Sequence, residues 1–353
     1  MNKTLMKPAA VQSTARQGGF SLIELMVAIA IGLIMLALLA VLFANSSASR
    51  MELERVTRLM ENARFGVDSV GDDIRHAGYF GPVALPSNTV YTTPSPCATA
   101  IANFGFDTAA SPVQAPAPIT GIDQPPSGYT TINIDCLTNR LATGTVPDVL
   151  IVRRVSSDPI TTISASSVVA SNLYMQASQC AIDAGAGFKV SNNSADFNLR
   201  TVKCINGTWA PARRYFARAY YVASCNNCSP SDNIPTLKRV EVIDGVVTRI
   251  ALAEGVLNLQ FEYGFDTNGD GAPDEFRTDV AAGTAPNSRW ENVVAVRAHM
   301  LVRSTEQSNV IDGQARQFDL GTGAANLQCP TGFRCRLVTT TFRLNNVAGR
   351  RES

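Results

Sequence analysis

Residues 25–44 run for twenty positions without a charged or strongly polar side chain. As a helix rising about 1.5 Å per residue, such a run crosses the ~30 Å hydrocarbon of a bilayer once. Just ahead of it the chain reads Arg16-Gln-Gly-Gly-Phe-Ser-Leu-Ile-Glu24: a glycine pair, then Phe20, then a lone carboxylate. An ordinary secretory signal has a shorter apolar stretch with a small-x-small cleavage site after it. Here the candidate cleavage site lies before the apolar run, so processing would leave the helix on the mature chain. The basic leader, with Lys3, Lys7 and Arg16, fits retention on the cytoplasmic side.

Glu24 needs its own explanation. An ionised group in the membrane costs several kcal/mol, so an intramembrane carboxylate implies a partner and a role. Once residues 1–19 are removed, no basic side chain lies near Glu24. The nearest cation is the Phe20 amine, its own or a neighbouring subunit's. These residues resemble the class III signal of type IV prepilins and pseudopilins. The resemblance implies cutting between Gly19 and Phe20 by a prepilin peptidase, followed by N-methylation of Phe20. It also implies that Glu24 pairs with the Phe20 amine of an adjacent subunit as the helix leaves the bilayer for a fibre. Attraction in low dielectric would then favour one axial register. A plain signal-anchor helix is the alternative, and it leaves Glu24 unexplained.

Of the 353 residues, about 276 follow position 77, enough for one large globular domain or a core with a sizeable insertion. The formal charge is +1, and the three leader cations leave the remainder near −2, no footprint for nucleic acid. Two histidines in the chain argue against a His-based metal or acid–base site. Eight cysteines, an even number in an exported chain, read as disulfides formed in an oxidising compartment. In chain order the local pairs are Cys97–Cys136, Cys180–Cys204, Cys225–Cys228 and Cys329–Cys335. Eight cysteines allow about 105 connectivities, so the short pairs, Cys225–Cys228 and Cys329–Cys335, are the favoured ones. Zinc at Cys225-Asn-Asn-Cys228 would need two more thiolates or histidines. A thioredoxin-like role would need a strand-then-helix context that is missing there.

Beyond Ala44 the helical pattern changes character. Leu53, Val56, Met60, Ala63, Val67, Val70 and Ile74 recur at steps of three and four, one face of an amphipathic helix. Arg50, Glu54, Arg55, Arg58, Glu61 and Arg64 occupy the opposite face. A continuous helix from Phe20 to Ala77 would span ~85 Å, with Gly78 as the stop and Gly66 and Gly71 as bends. Residues 82–147 are rich in Pro, Thr, Ser and Ala and read as a long irregular surface excursion. Strands are expected at 149–155, 162–169, 215–223, 293–303 and 337–344, with a hairpin at 237–250 turning at Asp244-Gly245. The strict alternation of 257–264 predicts a half-buried strand. The chain therefore reads as α+β: a long N-terminal helix packed on a mainly antiparallel sheet. Its expected divisions are a leader at 1–19, a membrane helix at 20–44, an amphipathic helix at 45–78 and a β-rich globular domain at 79–353.

Further segments are similar to the PilW-like minor pilins of type IV pilus assembly. They are Glu61-Asn-Ala-Arg64, Asp73-Ile-Arg-His-Ala-Gly-Tyr-Phe-Gly81, Gly255-Val-Leu-Asn-Leu-Gln-Phe-Glu-Tyr-Gly264 with its Asp-rich loop, 296–304, and Phe342-Arg-Leu-Asn-Asn-Val-Ala-Gly-Arg350. Residues 82–210 fall outside the resemblance. It implies a pilin-like fold and a structural subunit without catalysis that primes polymerisation and sits near the fibre tip. Implied partners are other minor pilins, the major pilin, the prepilin peptidase, the inner-membrane assembly platform and a tip adhesin. The implied location is a single-pass anchor in the inner membrane with a periplasmic C-terminal domain, and then the extracellular pilus. A type II secretion pseudopilin and a pilus-borne adhesin are alternatives on the same scaffold. A membrane-anchored enzyme finds no Gly-x-Ser-x-Gly, His-Glu-x-x-His or Gly-rich phosphate loop to stand on.

Calcium is the one cofactor the sequence points to. Asp266-Thr-Asn-Gly-Asp-Gly-Ala-Pro-Asp274 sets Asp266, Asn268, Asp270 and Asp274 at loop positions one, three, five and nine, with the Ala272 carbonyl at seven. Short carboxylates so spaced converge on a hard cation in EF-hand loops, and Gly271 permits the turn. At position twelve Arg277 replaces the expected Glu, with Glu275 or Asp279 as substitutes. A plain Asp/Asn/Gly turn is the alternative.

Overall fold

The computed structural model describes residues 19, 21–82, 85–86, 88–123, 132–142, 145–181, 183, 187–278, 290–308, 316–321 and 326–352. The chain divides into two units, Met1–Glu54 and Arg55–Ser353. Its class is α+β, a long N-terminal apolar helix with antiparallel β-sheets.

Helix α1 spans Leu22–His76. Leu, Met and Ala dominate its first half and no proline interrupts it, so propensity and composition both favour helix there. The most apolar 18-residue window has a mean hydropathy of 3.1 and none of it is buried. By length and composition this segment can cross a membrane.

In the second unit, the strands are β1 (Val90–Thr92), β2 (Gln114–Pro116), β3 (Ile119–Ile122), β4 (Val149–Val155), β5 (Tyr174–Ala177), β6 (Phe188–Ser191), β7 (Ala212–Ala223), β8 (Thr236–Ile243), β9 (Val246–Glu254), β10 (Val256–Phe265), β11 (Glu275–Arg277), β12 (Val293–Arg303), β13 (Gln317–Phe318), β14 (Leu327–Gln328) and β15 (Cys335–Arg343). One sheet runs β11-β10-β12-β15. The larger sheet is centred on β7, which pairs β4, β5 and β8, with β3, β6 and β9 as outer neighbours. The β8–β9 hairpin turns at Asp244 and Gly245, both at positive φ (52° and 78°), as a type I′ turn requires.

One core joins the two sheets to the C-terminal part of α1. Leu59, Ala63, Val67, Val70, Ile74 and Ala77 pack among Leu150, Tyr220, Leu237, Phe261, Val296, Met300 and Phe342. The buried face differs from the predicted one at its start. Leu53 is 68% exposed and Val56 and Met60 are each 37% exposed, whereas Leu59 and Gly66 are buried. Steps of three and four admit two neighbouring stripes that share Ala63, Val67, Val70 and Ile74. Polar contacts select the second one, through Arg55 with Glu306 (3.3 Å) and Asn62 Nδ2 with the Glu254 carbonyl (3.3 Å). Gly66 and Gly71, expected as bends, lie within one uninterrupted helix and are points of close approach to the sheets.

Other expectations are corrected. Residues 162–169 form turns rather than a strand, held by the Ser164–Ser167 hydroxyls. Strand β10 is buried on nearly its whole length instead of half, because the 145–148 segment covers it: Asn258 and Gln260 donate to the Thr145 and Val146 carbonyls. The excursion is more ordered than its composition suggests, supplying β1, β2 and β3 and burying Ala115, Ala117, Ile119 and Ile122. Arg153 of β4, fully buried, sews it to the sheet by donating to the carbonyls of Ala117 (3.1 Å) and Pro94 (2.5 Å) and to the Thr120 hydroxyl (2.6 Å). Burial, only partly opposed by the Tyr215 hydroxyl, draws the pKa of the Arg153 guanidinium down to about 10.

Candidate functional site

Gly19 is exposed and non-helical; Phe20 and residues 1–18 lie outside the described residues. Glu24 stands in the first turn of α1, exposed, and accepts the Ser21 N–H at 3.1 Å. That contact satisfies one of the open amides at the helix start, and a carboxylate there complements the positive end of the helix dipole.

At the other end of α1, Asp73 occupies the buried face. Its carboxylate accepts from Arg154 (2.9 Å), Arg218 (2.9 and 3.1 Å) and the Tyr220 hydroxyl (2.5 Å). Arg218 also donates to Glu241 at 2.6 Å, and Arg239 to Glu241 at 3.1 Å. The Phe216 ring lies beneath the guanidinium groups of Arg154, Arg214 and Arg218. Burial pushes the Asp73 carboxyl up, but Arg218, the Tyr220 hydroxyl and Arg154 outweigh it and hold the group below the usual carboxylate value. Burial, with the adjacent Asp73 charge, pushes the Tyr220 hydroxyl up. The network ties the helix to β4, β7 and β8. Sequence reasoning missed it, although a carboxylate three residues after Val70 on an apolar helix face is a signal for buried cations.

All eight cysteines are bridged: Cys97–Cys136, Cys180–Cys204, Cys225–Cys228 and Cys329–Cys335, with Cα–Cα distances of 5.2–5.8 Å. His76 sits exposed at the end of α1, its Nδ1 2.8 Å from the Asp72 carbonyl oxygen. His299 lies buried in β12 between Glu262 (2.9 Å) and the Thr339 hydroxyl (3.1 Å), in a side-chain row across β10, β12 and β15.

In the Asp266–Asp274 loop the oxygens turn to local donors. Asp266 accepts the N–H groups of Gly269 (2.6 Å) and Gly271 (2.9 Å) and meets Arg351 at 3.2 Å. Asp274 accepts from the Thr267 N–H and hydroxyl, both at 2.7 Å, and Asn268 donates to Asp270 and Asp274. Ala272 donates its own N–H to Asp270 at 2.8 Å. Among the described residues no group of three or more His, Cys, Asp or Glu is gathered for a metal; Asp279 lies outside them. The contact with Arg351, far along the chain, is what the loop pattern alone could not reveal.

Two family models match the chain. The prokaryotic N-terminal methylation motif matches residues 14–40, taking in the glycine pair, Phe20, Glu24 and most of the apolar run. The model described as type IV pilus-assembly protein W matches residues 219–346, from the middle of β7 through β15. No curated protein and no solved structure matches the chain. A methylation motif on a helix long and apolar enough to cross a membrane, in one chain with antiparallel sheets that match a pilus-assembly model, supports a membrane-anchored, type IV pilus-associated pilin. The match over residues 219–346, about a third of the chain, supports a PilW-like minor pilin.

Proposed function

We propose that the chain is an assembly subunit that primes type IV pilus polymerisation and sits at or near the fibre tip, without catalysis. The observation that carries this reading is the methylation motif joined in one chain to a PilW-like head. The leader, 1–19, is removed at Gly19-Phe20; residues 20–44 anchor the subunit in the inner membrane, and the part beyond 45 lies on the periplasmic side. The head, about 276 residues, is too wide for an ordinary shaft position and offers side surfaces to other minor pilins, the major pilin or a tip adhesin. The test is to shear and purify pili from wild-type and deletion strains and to look by mass spectrometry for this chain starting at N-methylated Phe20. Absence from the fibre, or any other N-terminus, rejects the reading. Loss of secretion rather than of twitching in the deletion strain would move it to the pseudopilin class.

Glu24 sets axial register by pairing with the Phe20 amine of a neighbouring subunit. Glu24→Ala is expected to insert into the membrane normally and to be lost from sheared fibres, followed by co-purification with the major pilin. Wild-type levels in the fibre would remove that role. Calcium at the Asp266–Asp274 loop is proposed with weak affinity, of the order of 10⁻⁴–10⁻³ M, because an ion has to displace Arg351 from Asp266. Calorimetry on the full chain in detergent should register heat in that range. No heat, with unchanged melting in chelator, rejects it.

A further inference from the structure

The Cys225–Cys228 bridge differs from the other three in what surrounds it. Its sequence separation is three, against 39, 24 and 6 for the others. A cross-link closing so short a loop restricts the unfolded chain least, so opening it costs the least global stability. The turn is also held without the bridge. Asp232 accepts the N–H groups of Asn226 (3.0 Å), Asn227 (2.7 Å) and Ile234 (3.0 Å). Cys225 is 2% exposed and Cys228 is half-buried, so Cys228 is the more open of the two to an outside thiolate. Lys238, from β8, places its ammonium 3.6 Å from Cys228 Sγ while donating to the Asn226 carbonyl at 2.9 Å. The Ser224 hydroxyl points to Cys225 Sγ at 3.7 Å. Each sulfur thus has a donor for the thiolate it would become, and a neighbouring cation is what lowers a thiol's pKa and improves it as a leaving group.

We propose that Cys225–Cys228 is a thiol–disulfide exchange site, opened reversibly by a dithiol reductant while the other three bridges stay closed. A dithiol thiolate attacks Cys228 Sγ, the Sγ–Sγ bond breaks, and Cys225 leaves as a thiolate beside Ser224. The second thiolate of the reductant then attacks its own sulfur in the mixed disulfide, and Cys228 leaves as a thiolate beside Lys238. The reductant becomes a disulfide, two electrons pass to the protein, and the two cysteines take up the two protons given up by the dithiol. Because Asp232 keeps the turn, the thiols stay adjacent and the reverse reaction restores the bridge.

The test uses the full-length chain in detergent, equilibrated in dithiothreitol buffers of graded redox poise, quenched in acid, alkylated and mapped by peptide mass spectrometry. Cys225 and Cys228 should be labelled in more oxidising buffer than the other six cysteines and should re-form their bridge on return to oxidant. Lys238→Gln should slow, several-fold, the step in which Cys228 leaves the mixed disulfide, because the departing thiolate loses its neighbouring cation. Lys238→Arg, which keeps the charge, should restore the rate. Another bridge opening first, loss of the native far-UV spectrum when this bridge alone opens, or a wild-type rate in Lys238→Gln overturns the proposal. The redox titration of the unaltered chain decides the matter even if the Lys238 variants misfold.

Discussion

Replacing Asp73 by alanine is expected to destabilise the β-rich unit by about 3 kcal/mol, the lower end of the range for breaking a buried ion pair from one side. The loss strands Arg154, whose side chain is 13% exposed, without its carboxylate. Arg218 loses one partner but keeps Glu241 at 2.6 Å, which is why the upper end of the range is not reached. On a unit of this size the melting midpoint should drop by roughly 5 °C. The pH dependence follows from the direction of the Asp73 shift. Its folded value lies below the ordinary 3.8, so its contribution is complete above about pH 4 and is lost as pH falls through the lowered folded value. Wild type and Asp73→Ala should therefore differ fully at neutral pH and converge only in strong acid. Thermal melts of both chains at pH 7 and pH 3 check this. A difference below ~1 kcal/mol at pH 7 would mean that the network contributes no more than a surface pair.

The second large effect concerns the approach of helix to sheet. Gly71→Val is expected to cost about 3 kcal/mol, the upper end for overpacking. A Cβ at position 71 would lie 2.2 Å from Cε1 and 2.5 Å from Cζ of Phe342. The ring has little room to yield: Phe342 is buried in the core, with the Arg75 guanidinium over its face at 5.0 Å. Valine's better helix propensity returns only about 0.4 kcal/mol, far too little to offset the overlap. Gly66→Ala makes the contrast. Its Cβ would meet Ala253 Cβ at 3.1 Å and the Met300 sulfur at 3.2 Å, and a thioether can move by tenths of an ångström. The gain of about 1 kcal/mol for alanine over glycine in a helix then roughly cancels the crowding. Melting curves should show a large drop for the first variant and little change for the second. Equal drops would mean that the Phe342 contact is not what keeps position 71 a glycine.

Among the features read from residue order, those set by local chemistry are the ones the structure reproduces. A proline-free apolar run becomes helix α1, 149–155 and 293–303 become β4 and β12, and Asp244-Gly245 turns the β8–β9 hairpin because both residues tolerate positive φ. The glycine–phenylalanine junction and Glu24 are legible for the same reason: a charge next to an apolar run is conspicuous in one dimension. The excursion shows where composition misleads. Proline and alanine at 115–118 depress strand propensity, yet Gln114–Pro116 pairs with β1 as β2, and the buried Arg153 holds the Ala117 carbonyl just after it.

Residue order by itself determined that this chain has a helix able to enter a membrane, a methylation motif spanning its start, and a β-rich remainder with cysteines in number for four bridges. Tertiary structure decided which stripe of the helix is buried, that Gly66 and Gly71 are points of close approach to the sheets, that Arg351 closes the aspartate loop, and that Asp73 meets Arg154 and Arg218 from strands more than eighty residues away. Helix and turn preferences act within a few residues and leave a local record. Burial of a charge is settled only when distant segments arrive together, since its desolvation cost is offset by partners that no local pattern specifies.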